Sequence, residues 1–495
     1  MDPQDKQLYP SESNDLNDKE LCCRCVGEKY LSDEIRTQGN RRKCAYCHKI
    51  GRCYDVGKMA GRIEKVFDQH YVRTSDEPSS WQYMMLKDKE SDYEWERAGE
   101  PLVDAIRNAA DMPETAAQDI QQLLDDRYGD FEADKLGEET EFSRRSYYEE
   151  KGTDDAAWQQ DWDSFERSLK HEARFFSRTS AKQLASIFEG LDKMLTGDGR
   201  SLVVDAGPGT TLTSLFRARV FQSNDNLRTA LCRPDQHLGP PPSLLASAGR
   251  MNARGVAVFY GADDPKVALA EVRPPVGSQV AVAFFEIIRH IRLLDLTALG
   301  AVNRRGSIFD PEFAPRLERA MFLRSLSQRI TKPVMPDDEA FEYLPTQAIA
   351  DFLATEFEVP LDGIIFPSVQ AEGNGLNVVL FHKASRVKAY EVPTGTETSA
   401  SLGQFYEEGW ETEYAVTEEV PPKIEAGDTD DAKGRSRGLA ALEQMTLVSH
   451  DADVRGPTLK IDVDSIKVHI IRLVEVKTED FDVRRHRFEK REPKF

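Results

Sequence analysis

The sequence has no long apolar segment and no excess of positive charge. No stretch approaches the roughly 18 apolar residues that a membrane-spanning helix needs. The N-terminal segment MDPQDKQLYPSESNDLNDKE lacks the basic start and apolar run of a secretory signal, so we expect a cytoplasmic protein. The net charge of −21 argues against a general nucleic-acid binder or membrane-surface binder, because those surfaces are polyanionic.

The usual glycine-rich nucleotide loops are also missing. AGPGTT (206–211) follows an apolar run, but it lacks the G-x-G-x-x-G spacing of a Rossmann fold. It also lacks the lysine of a phosphate-binding loop. We interpret it as a turn that precedes the next strand.

Cysteine is scarce, but its distribution is uneven, since six of the seven cysteines lie within 20–55. Two C-x2-C pairs are separated by 18 residues, a spacing typical of a four-thiolate zinc site. Four thiolates leave no position open for a substrate, so the site is predicted to be structural. Cys23, His48 and Cys53 are close enough to be alternative ligands. The predicted ligands are Cys22, Cys25, Cys44 and Cys47.

Two basic segments depart from the acidic average of the chain. Arg41, Arg42, Lys43 and Lys49 flank the second cysteine pair, and RRHR (484–487) lies near the C-terminus. The first is interpreted as a solvated surface, with contact to an anion as the alternative. The second is interpreted as a frayed charged tail, with a local basic patch for a polyanion as the alternative.

The spacing of apolar residues changes along the chain. Trp158, Trp162, Phe165 and Leu169 recur at helical spacing in a region with few β-branched residues. Between 200 and 390, seven short apolar runs predict strands of a substantial sheet. Helical segments are predicted at 266–273 and near 340–357. The sequence therefore predicts an α+β protein, with a zinc-bearing helical N-terminal domain before a domain built on a mixed sheet.

These changes predict seven divisions of the chain. No internal repeat at 20–50 residues is visible. The divisions are a disordered N-terminus (1–19), a four-cysteine zinc module (20–55), a helical domain (56–195), a sheet domain (196–390), an acidic linker or insertion (391–455), a strand pair completing the sheet (456–478) and a charged tail (479–495).

The stretch VFYGADDPKVALAEVRPP (258–275) places an acid inside an apolar helix. Asp263 or Asp264 can cap that helix, and Pro265 suits its first position. Glu271 follows among small apolar residues, and carboxylates are almost never fully buried unless they are paired. Arg273 is the nearest cation, but residues two apart do not face each other on a helix. Glu271 is therefore a candidate site residue.

Three segments form an ordered set of motifs: LFRARV (215–220), HLGPPPSLLASAGRMNARGVAVFYGADDPKVALAEVRP (237–274) and LDGIIFPSVQAEGNGLNVVLF (361–381). Together they resemble the RES domain of bacterial toxin–antitoxin systems. That family is named for a recurring arginine, glutamate and serine, which Arg217, Glu271 and Ser368 match. Tyr260 matches the active-site tyrosine of the family.

The resemblance implies an ADP-ribosyltransferase-like fold that binds NAD+ as substrate and breaks its nicotinamide–ribose bond. Relatives hydrolyse or phosphorolyse NAD+ or transfer ADP-ribose to a protein, and a partner antitoxin typically silences them. The sequence leaves open which of these reactions applies, whether the chain forms a homo-oligomer, and whether it is instead a non-catalytic, zinc-bearing interaction scaffold.

In such a site the matched residues would have distinct roles. Glu271 would stabilise the cationic ribose of the transition state. Arg217, and then Arg250, would bind the pyrophosphate through paired donors. Tyr260 would stack on the nicotinamide, and Ser368 would bond nicotinamide or ribose. Asn252 and Asn377 are predicted to line the pocket.

Several of these residues have simpler interpretations. Arg217 shares a strand face with Arg219 and fits a solvated position. Tyr260 fits an ordinary strand aromatic, and Ser368 fits a turn after Pro367.

The region before the RES-like motifs resembles HEPN-like segments that are fused to RES domains. The cysteine pairs and SLKHEARFF (168–176) carry this resemblance. HEPN ribonucleases have an arginine, four to six residues and then a histidine. Here Arg167 and His171 have three residues between them, and Arg62 and His70 have seven. We therefore predict a regulatory or binding role rather than RNA cleavage.

Overall fold

The computed structural model describes most of the chain, in two compact units. Unit 1 lies within Met1–Trp162 and Val302–Ser325, and unit 2 within Asp163–Ala301 and Leu326–Phe495. Most of the predicted disordered N-terminus, the end of the charged tail and a large part of the acidic linker lie outside the described residues. The described ranges are 16–88, 92–175, 177–303, 305–370, 375–407, 409–422, 455–475 and 477–487.

Unit 1 combines helices with two small antiparallel sheets, ordered β1-β3-β2 and β4-β6-β5. Its strands are β1 (Glu20–Cys22), β2 (Asn40–Lys43), β3 (Ile50–Asp55), β4 (Tyr71–Arg73), β5 (Glu100–Pro101) and β6 (Tyr147–Glu150). Its helices are α1 (Lys29–Gln38), α2 (Val56–His70), α3 (Ser80–Lys87), α4 (Leu102–Ala110), α5 (Glu114–Tyr128), α6 (Phe131–Leu136) and most of the first two turns of α7 (Ala156–His171).

The predicted helical pattern at 158–169 is confirmed by α7, where Trp162 and Phe165 are fully buried. The strands β4 to β6 were not predicted within the helical region. Their residues pair over only two or three positions, which is too short for an alternating pattern to be visible.

Unit 2 is built around an eight-stranded sheet. Its helices are α8 (Arg178–Phe188), α9 (Asn224–Cys232), α10 (Pro234–His237), α11 (Pro265–Glu271), α12 (Leu296–Leu299), the last turns of α13 (Phe313–Thr331), α14 (Glu339–Glu342) and α15 (Leu344–Thr355). Its strands are β7 (Val203–Ala206), β8 (Ser214–Phe221), β9 (Phe259–Ala262), β10 (Gln279–Ile287), β11 (Ile291–Asp295), β12 (Gly363–Pro367), β13 (Leu376–Leu380), β14 (Glu397–Ser401), β15 (Gln404–Tyr406), β16 (Gly409–Glu411), β17 (Ala415–Glu419) and β18 (Leu459–Ile470).

The main sheet has the strand order β18-β10-β8-β9-β13-β12-β11-β7. The pair β11–β12 is parallel and the other neighbours are antiparallel, so the sheet is mixed. This confirms the predicted α+β class with a mixed sheet. One core cluster contains Phe259 and Phe285, and a second joins Val267 and Ala268 of α11 to the strands. The helix α11 is therefore held against the sheet by its apolar side.

Two parts of unit 2 differ in detail from the sequence expectations. A single strand, β18, lies at the edge of the sheet where a strand pair was expected, and its pairing with β10 is shifted between Val282 and Phe284. Within the expected acidic linker, β14 pairs with β17 and β15 with β16. Leu402 of this region is buried in the core cluster that contains Phe259 and Phe285. No helix in the described part of the chain is long and apolar enough to cross a membrane.

Candidate active site and metal centre

A cavity of about 440 Å³ lies beside α11, at strands β8, β9 and β13 of unit 2. Ser368 and Asn252, which were also predicted as site residues, do not line it but contact residues that do. The predicted residues that line the cavity are Arg217, Arg250, Tyr260, Glu271 and Asn377.

Glu271 is the last residue of α11, and its carboxylate is held from two sides. Its Oε1 accepts hydrogen bonds from Ser368 Oγ at 2.6 Å and from Asn377 Nδ2 at 2.7 Å. Both donors are buried, and Asn377 is fixed on β13. No ion pair links Glu271 to Arg273 within the described residues. These bonds orient the acid in the cavity and offset the cost of removing it from water.

Arg217 projects from β8 with its charge uncompensated. Its Nη1 donates to the Tyr260 carbonyl oxygen at 2.8 Å, and its guanidinium lies 5.1 Å from the ring centre of Phe259. Its Nε is buried without a partner in the described chain. Burial, together with the positive charge of Arg219, lowers the pKa of Arg217 to about 10, so it is still a cation at neutral pH. A partly buried cation with a spare donor suits an anionic ligand.

Tyr260 supports the wall of the cavity through its hydroxyl. It donates to Asn252 Oδ1 at 2.8 Å and accepts from the Met251 backbone N–H at 3.1 Å. Burial raises the pKa of Tyr260 to about 12, so the hydroxyl is neutral at physiological pH. A Cβ at Gly249 would lie 2.6 Å from this hydroxyl oxygen, so only glycine fits there.

Asn252 has a different position from the one expected. It is 4% exposed, and its Nδ2 lies within hydrogen-bonding distance of the carbonyl oxygens of Ser247, Ala253 and Val256. Its amide therefore stabilises the 247–256 loop that carries Arg250, rather than facing the cavity.

Arg250 lines the cavity, and both of its terminal nitrogens already donate to the protein. Its Nη1 donates to the Ile330 carbonyl oxygen at 2.6 Å and its Nη2 to that of Lys332 at 2.8 Å. The guanidinium also lies 5.1 Å from the ring centre of Tyr343. Arg250 thus fastens the end of α13 to the cavity wall.

Arg273 was not predicted as a ligand-binding residue, yet it lines the cavity two residues after Glu271. Its φ of 43° is in the left-handed region, which is unfavourable for a residue with a long side chain. The guanidinium is exposed and has no ion pair among the residues described. Strained residues cluster at functional sites, but a strained angle leaves no signal in the sequence.

In unit 1, four cysteine thiols gather around one point. Their sulfurs all lie within 4.8 Å of one another, and three of the Sγ–Sγ distances are 3.5, 3.7 and 3.8 Å. Four thiolates about 2.3 Å from one zinc ion would be roughly 3.8 Å apart, so the donor set fits zinc. The four are the predicted ligands Cys22, Cys25, Cys44 and Cys47.

The alternative ligands are not part of this cluster. Cys53 is buried, and its Sγ lies 3.6 Å from the Arg42 carbonyl oxygen. A hydrogen bond from the Lys49 backbone lowers the pKa of Cys47 to about 7, which favours the thiolate. Tyr46, between the ligands of the second pair, donates to Asp119 Oδ2 of α5 at 2.7 Å. A bound metal would therefore fix the β2–β3 turn to the helical core.

Two family models match the chain. Residues 219–402 match the RES domain, and residues 37–183 match the HEPN/RES N-terminal domain 1. The chain carries a RES domain. RES domains act on NAD+ and are ADP-ribosyltransferase-like at the family level. The RES match begins two residues after Arg217 and ends before β18. No curated protein and no solved structure matches the chain.

Proposed function

We propose that the RES domain cleaves the nicotinamide–ribose bond of NAD+, as a glycohydrolase or phosphorylase. The observation that carries this proposal is that one cavity holds an oriented carboxylate, Glu271, and a partly buried cation without an ion pair, Arg217. NAD+ presents the complementary groups, because its ribose becomes cationic during cleavage and its diphosphate is anionic. The RES match supports NAD+ as the substrate.

The reaction is the displacement of nicotinamide at the anomeric carbon of the ribose. The bond from that carbon to the pyridinium nitrogen breaks, and its electron pair goes to nicotinamide. A water or phosphate oxygen then forms the new bond to the carbon, and water loses a proton to the carboxylate or the solvent. Glu271 Oε1 is occupied by two donors, so Oε2 is the oxygen left to stabilise the ribose cation or receive that proton.

The remaining cavity residues would hold the substrate. Of the three arginines that line the cavity, Arg250 already donates to two carbonyl oxygens, whereas Arg217 has a buried Nε without a partner in the described chain and Arg273 is exposed. We therefore assign the diphosphate to Arg217 and Arg273. Arg250 and Asn252 position the wall, since their polar groups already bond the protein. Tyr260 offers its ring to the nicotinamide while its hydroxyl is engaged by Asn252 and Met251.

The biological setting is part of the same proposal. The enzyme would act in the cytoplasm as a toxin or defence factor, with a partner antitoxin or the N-terminal unit restraining it. Zinc at the four-cysteine cluster would be structural, because the four thiolates complete its coordination.

The test is nicotinamide release from NAD+ by the purified full-length protein, with and without phosphate. Glu271→Gln is expected to lower kcat by about 10²- to 10⁴-fold, the range for a lost acid–base group. Glu286→Gln is the control, because Glu286 is exposed on β10 and does not line the cavity.

Unchanged release by Glu271→Gln would contradict the proposal. Transfer of adenine-labelled ADP-ribose to protein would favour the transferase alternative. Absence of release by a folded, zinc-loaded protein would favour the scaffold alternative.

A further inference from the structure

A basic surface surrounds the metal cluster in a chain whose overall charge is strongly negative. Residues 36–53 contain six arginine or lysine residues and no acidic residue, although the whole chain has a net charge of −21. The strand β2 lies at the edge of its sheet, and all four of its side chains are exposed. Positive charge is therefore concentrated at the exposed β2 edge of this sheet.

Several of these cations are not neutralised by the protein. Arg36 pairs with Asp33, and Arg42 lies 3.8 Å from Glu20. Arg41, Lys43 and Lys49 have no ion pair among the residues that the structure describes.

The register of β2 and β3 places two arginines opposite each other. Arg41 lies directly opposite Arg52, and like charges in that position destabilise a strand pair. Arg52 relieves part of this cost by donating from Nη1 to the Gly39 carbonyl oxygen at 2.8 Å. An anion bound across the pair would remove the repulsion.

We propose that this basic face, defined as Arg41, Lys43, Lys49 and Arg52, binds the phosphate backbone of a nucleic acid. Arg41 and Lys43 are two residues apart on one strand face, about 6.8 Å along the strand. That is about the axial rise of two nucleotides in one strand of a duplex. The acidic remainder of the chain would repel the same polyanion, so binding is confined to this edge.

The side chains at this edge favour phosphate contact over other polyanionic partners. Tyr46, the one Phe, Tyr or Trp residue of the 36–53 segment, is half-buried against the core of unit 1, so little of its ring is left for bases to stack on. Ile50 is the large apolar side chain exposed at this edge, at 64%, which gives a membrane little surface to bury. Contacts to phosphate carry no sequence information, so binding should be insensitive to base sequence.

The test measures binding of the full-length protein to a short fluorescent DNA duplex as salt increases. One phosphate for each of Arg41, Lys43 and Lys49, the three without an ion pair in the described chain, predicts a slope of about −2.7 in log affinity against log salt. This slope is roughly a 40-fold loss of affinity between about 50 and 200 mM. The variant Arg41→Gln/Lys43→Gln/Lys49→Gln should bind about 10-fold or more weakly at the lower salt and show a shallower slope.

The control variant is Arg178→Gln/Lys182→Gln/Lys193→Gln. It removes the same kinds of charge from three exposed positions of unit 2 and should bind like the wild type. Equal affinity of the two triple variants would overturn the proposal, as would absence of wild-type binding at about 50 mM salt. Tighter binding to phosphatidylserine vesicles than to the duplex would assign the face to a membrane instead.

A second measurement uses the wild-type protein and so does not depend on the folding of a variant. Acetylation of lysines is followed by mass spectrometry with and without the duplex. Lys43 and Lys49 should be protected, whereas Lys182 and Lys193 should react equally in both states. Equal reactivity of all four lysines would contradict the proposal. Because this face lies in unit 1, the outcome is independent of the NAD+ reaction proposed for unit 2.

Discussion

At the residue scale, Glu271 illustrates what a sequence can and cannot predict. Its place in an apolar helix indicated that the carboxylate needed a partner. The partners in the structure are Ser368 and Asn377, which lie 97 and 106 residues further along the chain. Periodicity reports only local neighbours, so it cannot identify contacts made by the pairing of distant strands. The order of the RES-like motifs brought these residues together as candidates instead.

The hydroxyl of Tyr260 should contribute to stability as well as to the shape of the site. Tyr260→Phe leaves Asn252 Oδ1 and the Met251 N–H without their partner, so it should cost about 1–3 kcal/mol of unfolding free energy. Urea unfolding at neutral pH measures this loss.

Tyr343→Phe is the matched control for this prediction. The hydroxyl of Tyr343 donates to Glu339, a half-buried side chain that water can still reach, so the loss should be within about 0.5 kcal/mol. Equal losses for the two variants would show that the Tyr260 hydroxyl has no special structural role.

At the element scale, the short apolar runs were reliable signals. All seven runs predicted between 200 and 390 correspond to strands β7 to β13. The start of α11 is also as predicted, since Pro265 is its first residue and Asp264 caps it by accepting from the Lys266 N–H. Strong local signals, namely a cap, a proline and a buried strand, determined these elements.

The helices α9 and α13 were not predicted. In α13 the buried residues Ala320, Phe322, Leu323, Leu326 and Ile330 share one side of the helix. Arg319 lies on that side while Leu317 and Met321 lie outside it, so the apolar face is not clear in the sequence. In α9 the buried residues are Leu227, Ala230 and Leu231, too few for a convincing pattern. A buried face with few or interrupted apolar positions leaves no clear periodicity in the sequence.

Asp235, in the short helix α10, should make the folding stability of unit 2 fall at acidic pH. Burial favours a raised pKa, but hydrogen bonds from Arg233 and from the Tyr390 N–H outweigh it and hold the pKa of Asp235 below its usual value. A lowered pKa stabilises the fold above the unfolded-state value near 3.9, and this contribution is lost as the pH falls through the folded-state pKa.

Asp235→Asn should therefore lower the stability of unit 2 at neutral pH by about 1–3 kcal/mol and flatten its loss below about pH 4. Urea unfolding at neutral and acidic pH measures both effects. Asp225→Asn is the control, because the Asp225 side chain is 89% exposed in its pair with Arg228. A variant whose acid dependence matched that of the wild type would argue against this role of Asp235.

At the scale of the whole molecule, the division into units differs from a simple succession of domains. The predicted boundary lies between 195 and 196, whereas the compact units divide after Trp162 and Val302–Ser325 belongs to unit 1. Phe309 of that returning segment is buried in the core of unit 1. Local composition cannot reveal that a segment returns to an earlier unit, because the contacts involved are far apart in sequence.

Because the two units have separate cores, removal of the metal should destabilise unit 1 and leave the stability of unit 2 unchanged. Cys22→Ser or Cys44→Ser should abolish zinc binding, and the free energy of metal binding would then be lost from the folding of unit 1. We expect a loss of several kcal/mol, seen as faster hydrogen exchange in α2 and α5, whose buried residues share one core with the β1 segment. Exchange in the main sheet of unit 2 should be unchanged, because its cores contain none of these cysteines.

Cys53→Ser distinguishes loss of a ligand from loss of a buried thiol. Cys53 is buried in the same hairpin but lies outside the four-sulfur cluster, and a serine hydroxyl can donate to the same Arg42 carbonyl oxygen. This variant should keep one zinc ion per chain, measured by mass spectrometry of the metal. If Cys53→Ser lost zinc as well, or if Cys22→Ser kept it, the four-thiolate assignment would be wrong. If only the ligand variants lost zinc, and hydrogen exchange changed only in unit 1, the metal would be shown to stabilise unit 1 alone.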